Sequence, residues 1–133
     1  MESKITVESA MRKAIWASIN DTVLSIAKQM VTQNIGAIII VRDSVPVGIV
    51  CESDIIGKVV KACKDPAKVR AEDVMMSPLI TIEPDKSIAD ALKLMHDKKI
   101  RRLAVINPHQ HLLVGIVTQK RLLNALVEHQ ITF

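Results

Sequence analysis

Asp54 closes the run Gly48-Ile49-Val50-Cys51-Glu52-Ser53, an apolar strand end that turns through small polar residues into a helix. A carboxylate at that point offers two acceptor oxygens and can cap the free N–H groups of the helix that starts there. Arg101 and Arg102 are adjacent cations in a strand-like run, so their side chains are expected on opposite faces. His109 and His111 have a His-x-His spacing. They fall in a turn with no cysteine or carboxylate beside them, which reads as a solvated turn rather than a metal site. No Ser/His/Asp arrangement or pair of catalytic carboxylates can be assembled. With four glycines in the chain there is no phosphate-binding glycine loop either. An enzyme is not expected.

The element that carries Asp54 occurs twice. Gly115-Ile116-Val117-Thr118-Gln119-Lys120-Arg121 repeats it, and both are followed by apolar residues at helical spacing. These are Ile55, Ile56, Val59, Val60 and Cys63 in one case, and Leu122, Leu123, Leu126 and Val127 in the other. Upstream, Val23, Ile26, Ala27 and Met30 mark a helix face that Ile88, Ala91, Leu92 and Met95 repeat 65 residues on. Asp21 and Asp85 precede these helices as candidate caps. Each helix runs into an apolar strand, residues 35–41 and 100–106, and then a polar turn. Ala17-Ser18-Ile19 and Leu79-Ile80-Thr81-Ile82 supply a short β-prone piece ahead of each helix. The unit is strand, helix, strand, hairpin turn, strand, helix, twice over.

That repetition predicts an α+β fold of two β-α-β-β-α repeats with small mixed sheets. The expected parts are an N-terminal segment packing on the pair (1–16), repeat one (17–64), a linker (65–72), repeat two (73–129) and a tail (130–133). At 133 residues the two halves are expected to share one core. Trp16 is expected to serve packing, and Lys58, Lys61 and Lys64 to form a solvated helix face. Cys51 and Cys63 look like small core residues in a reducing cytoplasm. The apolar runs are too short for a membrane span, which needs about 20 residues, and no signal peptide is visible. The net charge of +4 is modest and aromatic residues make up 2%. Stacking platforms for nucleic acid are therefore absent.

The doubled pattern resembles a tandem pair of cystathionine-β-synthase (CBS) domains, the Bateman module. The matching residues are the glycine, two apolar residues, Thr/Ser, two variable residues and Asp of the signature. Met75-Met76-Ser77-Pro78 and Ile100-Arg101-Arg102-Leu103-Ala104-Val105 also match. The resemblance covers about residues 7–129, leaving no space there for an attached enzyme. It implies a pseudo-twofold pair with two clefts between the repeats, which in this family commonly bind adenosine-containing ligands. In that scheme the Asp receives the ribose hydroxyls while Thr/Ser and cations hold phosphate; a cis-diol suits a two-oxygen acceptor. Repeat one keeps Asp54 but has Cys51 at the Thr/Ser position, with Ser53 as a substitute hydroxyl. Repeat two keeps Thr118 but has Arg121 at the Asp position, and an arginine cannot accept from a diol.

The pattern is also similar to the first two repeats of the AMP-activated protein kinase γ subunit. By that resemblance Ile49, Val50, Pro78, Leu79 and Ile80 flank adenine, and Arg101, Arg102 and Lys120 face phosphate. The second cleft, with Ser18, Ile19, Thr118 and Arg121, is expected to be closed or specialised. The resemblance implies a stand-alone regulatory module for AMP, ADP or ATP, with no further cofactor. It is expected to form a homodimer through the helices after the signature segments and to act on a regulated protein. A dimerisation module without ligand is the first rival. A nucleic-acid binder is the second, supported by net charge alone.

Overall fold

The computed structural model describes residues 5–131, with backbone alone beyond Glu128. Met1–Lys4, Thr132 and Phe133 lie outside the described residues, and with them the expectation of no signal peptide and half of the tail expected at 130–133. Among the described residues, six α-helices and six strands follow the order that the repeat demands. They are α1 (Val7–Ala10), β1 (Trp16–Ser18), α2 (Val23–Gln33), β2 (Ala37–Arg42), β3 (Val45–Cys51), α3 (Glu52–Ile55), α4 (Ala71–Val74), β4 (Thr81–Ile82), α5 (Ile88–Lys98), β5 (Arg102–Asn107), β6 (Leu112–Thr118) and α6 (Gln119–Ile131). Each repeat builds a three-stranded mixed sheet, β1-β2-β3 and β4-β5-β6. In each, the first pair is parallel across a helical crossover and the second is an antiparallel hairpin. Both hairpins carry a register shift at matching places, between Ile40 and Val41 and between Val105 and Ile106. The first hairpin turns through Asp43 and Ser44, both with positive φ, as a two-residue turn between twisted strands requires.

The chain divides into two compact units, Ile15–Leu79, and Met1–Ala14 with Ile80–Phe133. These differ from the blocks drawn on the sequence, because each repeat is completed by the segment ahead of the other one. In the unit 15–79, Val23 N–H donates to Val69 O (2.8 Å), Ala71 N–H to Asp21 O (2.8 Å) and Glu72 N–H to Ile19 O (3.2 Å). In the other unit, Ile88 N–H donates to Ile5 O (3.1 Å), Val7 N–H to Lys86 O (2.8 Å) and Glu8 N–H to Pro84 O (3.0 Å). The repeat therefore extends to 5–12 and 69–76.

Each unit closes its own apolar cluster. Val23, Ile26, Ile38, Ile40, Val50, Val59 and Val74 form one cluster. Val7, Ile88, Met95, Leu103, Val105, Val117 and Leu122 form the other. A fully buried Leu, Ile or Met side chain contributes about 1.5–3 kcal/mol relative to an exposed one.

Several local expectations are also corrected. The caps of α2 and α5 are Thr22 and Ser87, whose hydroxyls accept from Ser25 N–H (3.2 Å) and Asp90 N–H (3.0 Å). Asp21 instead accepts from Ser18 N–H at 2.9 Å. The helix after Asp54 is not one regular element: α3 passes into a π-helical turn, Ile56–Val60, in which Lys61 N–H reaches back to Ile56 O. Its apolar stripe splits, Val59 turning inward while Ile56 and Val60 are exposed. Cys63 leaves this turn at positive φ and is exposed rather than buried. Trp16 is exposed, not packed. The final helix runs past His129 to Ile131.

Candidate functional site

Asp54 is the one buried charged residue among those described, with 8% of its surface open. Strand β3 delivers it: hydrogen bonds to β2 fix the strand until Cys51, where the chain turns into α3. The Asp54 Oδ2 accepts the Cys51 N–H at 2.8 Å, so the capping role open on the sequence is real. Its Oδ1 lies 3.5 Å from Lys58 Nζ, one turn on. Lys58 is exposed, as expected of a solvated face, but its ammonium also donates to the Val74 carbonyl (2.9 Å) and stands 4.0 Å from the Met76 sulfur.

The residues expected around Asp54 largely belong to the same unit. Ile49 and Met76 exchange two backbone hydrogen bonds, 3.1 and 2.8 Å, which attach the segment leading to Pro78 and Leu79 alongside β3. Gly48 is required for that approach, because a Cβ there would lie 2.8 Å from the Met76 carbonyl and 2.7 Å from the Met75 sulfur. Val50 is buried beneath the strand, Ile49 and Cys51 are half-buried, and Ser53 and Pro78 are exposed. The Ser77–Pro78 peptide is cis. Ser18 ends β1 in this unit and Ile19 follows it in a turn, both half-buried.

Arg101, Arg102, Thr118, Lys120 and Arg121 all belong to the second unit, where Ile80 immediately precedes β4. Arg101 lies just before β5, not within a strand as expected, and its carbonyl accepts Gln119 N–H at 2.9 Å. Arg102 opens the strand opposite Thr118. Arg101 and Lys120 are exposed and Arg102 is half-buried. The Thr118 hydroxyl accepts Arg121 N–H at 3.2 Å, and Arg121 Nε donates to the Ala10 carbonyl at 3.0 Å. Arg121 thus ties down α1, a contact across 111 positions of chain that no local pattern reveals. Among the described residues no group of His, Cys, Asp and Glu is placed to hold a metal. None of their helices is long and apolar enough to cross a membrane.

The CBS domain model matches residues 7–61 and 71–128. An uncharacterized protein of Methanopyrus kandleri is 40% identical over 124 residues; the match takes in 92% of this chain and 63% of that protein. The chain thus spans somewhat under two thirds of that relative's length. Among solved structures, a CBS-domain protein of Burkholderia ambifaria superposes with a TM-score of 0.86 at 26% identity, covering 94% of this chain and 96% of that one. A CBS domain pair crystallised with 5′-methylthioadenosine and S-adenosyl-L-methionine superposes with a TM-score of 0.82 at 22% identity, over 96% and 99% of the two chains.

Proposed function

This chain belongs to the CBS domain family, with two copies in tandem, and we propose that it is a regulatory module that binds an adenine nucleotide, AMP, ADP or ATP. The observation that carries this reading is Asp54, a buried carboxylate held at the strand–helix turn. An acceptor of that kind suits a ribose cis-diol. The structural neighbour bound to two adenosine compounds supports the ligand class. Adenine is assigned to Ile49, Val50, Pro78, Leu79 and Ile80, with Cys51 and Ser53 beside the ribose acceptor. Phosphate is assigned to Arg101, Arg102 and Lys120, whose charge-assisted bonds favour an anion. The module acts in the cytoplasm, catalyses no reaction itself and changes the state of a partner protein. It works as a homodimer, which the exposed Ile56 and Val60, and Leu123 and Val127, one turn apart on their helices, support.

Calorimetric titration of nucleotide-free protein with AMP and ATP tests the reading. Saturable binding near one ligand per chain is expected. Asp54→Asn keeps an acceptor for Cys51 N–H but removes the charge, and should weaken binding about tenfold or more. Unchanged affinity in that variant would remove Asp54 from the site.

A second reading, a dimerisation module without ligand, is favoured by one observation. Both Asp54 oxygens already have protein partners. Absence of heat with any adenylate, from folded and empty protein that sediments as a dimer, would favour it.

A further inference from the structure

We infer that Lys58 is a latch on the candidate ribose acceptor, and that nucleotide binding releases it from Asp54 and so loosens the segment 74–76. The inference rests on the adenylate reading above. An ammonium has three N–H donors. The three groups at Lys58 Nζ are Asp54 Oδ1 at 3.5 Å, Val74 O at 2.9 Å and Met76 Sδ at 4.0 Å. Asp54 Oδ2 is held by the Cys51 N–H, a bond that starts α3 and is not free to be surrendered. Oδ1 is therefore the oxygen a diol must share. With a tenth of the Asp54 side chain open to solvent, the diol and the ammonium compete for it.

What Lys58 holds gives that competition a consequence. Val74 ends α4, and the next two residues make the backbone and sulfur contacts to Ile49 and Gly48. Those contacts attach the segment that continues through Pro78 and Leu79. An ammonium that loses its carboxylate keeps the Val74 carbonyl as its remaining strong acceptor, and that bond alone is a weaker restraint on a 44% exposed side chain. The second unit shows the fixed form of the same attachment. There Arg121 grips the Ala10 carbonyl directly, and its own side chain occupies the place in the repeat where Asp54 stands in the first. A ligand shifts such a restraint only by binding one state better than the other; the difference here is Oδ1 shared with Lys58 or given to ribose.

The test uses the full chain, with AMP and ATP as probes. Lys58→Met retains the apolar stem and removes the charge. Since a partly exposed pair is worth at most about 1 kcal/mol, the variant should bind adenylate about two- to fivefold more tightly. In the wild type, saturating adenylate should raise hydrogen exchange at residues 74–76. In Lys58→Met exchange there is already raised without ligand and adenylate adds nothing. A purely structural role for Lys58 would raise exchange but not tighten binding. Lys58→Gln, which keeps a donor without charge, should show the same tightening if Lys58→Met folds poorly. Wild-type binding with unchanged or weaker affinity in both variants overturns the latch and leaves the adenylate reading intact. No adenylate binding by the wild type overturns both.

Discussion

The two units solve one structural problem with different chemistry. Each must attach a short helix and a methionine from elsewhere in the chain beside the last strand of its repeat. In both, a glycine makes the approach possible. A Cβ on Gly115 would come within 2.8 Å of the Arg12 carbonyl and the Met11 sulfur, much as one on Gly48 would meet Met76 and Met75. The lock differs. Arg121 holds its carbonyl with no carboxylate between, whereas Lys58 holds Val74 while paired to Asp54. The unit with Arg121 has given up the acceptor a diol needs. The unit with Asp54 keeps it, at the cost of a restraint that a ligand can disturb. Divergence between the repeats at two positions, Asp54 against Arg121 and Lys58 against Ala125, thus separates a structural clamp from a candidate binding site.

The largest expected effects test whether the units are energetically distinct. Ile38→Ala and Leu103→Ala occupy matched, fully buried positions in separate clusters. Each should cost about 2–5 kcal/mol in urea unfolding, and the double variant should cost the sum within about 0.5 kcal/mol. Strong non-additivity would show that the clusters behave as one core. Gly48→Ala and Gly115→Ala should each cost about 1–3 kcal/mol, since the obstructing carbonyls are backbone and cannot swing away. A difference between the two would rank how rigidly each segment is attached.

Next in size is the lock itself. Arg121→Ala should lose about 1.5–3 kcal/mol by removing a charged donor from Ala10 O, measured by thermal unfolding. Lys58→Ala should lose less, about 0.5–1 kcal/mol, because its side chain is 44% exposed. Equal losses would show that the two locks hold equally well. Thr22→Ala and Ser87→Ala should each cost about 1 kcal/mol, the matched caps showing that the repeats agree where no ligand is involved. At the small end, Glu72→Ala removes only an exposed pair with Arg42 at 3.8 Å and should stay within about 0.5 kcal/mol.

The sequence by itself determined the repeat, the element order and the family. Helical stripes such as Val23/Ile26/Met30 and Ile88/Ala91/Met95, and the apolar strands after them, are local periodicities that burial enforces wherever the segment lies. It also placed Asp54 at the strand–helix turn. The tertiary structure alone decided what completes each repeat, because Val7–Met11 and Ala71–Met75 are too short to declare a partner. Their backbone N–H groups find carbonyls at Lys86 and Asp21 only once the sheets exist. It alone gave the exposed Lys58 a partner at Val74, and made Arg121, a lost acceptor on the sequence, a clamp on Ala10. The reason is range. Periodicity records which face of an element is buried, whereas a long cationic side chain is aimed by whichever carbonyl the fold brings within about 3 Å.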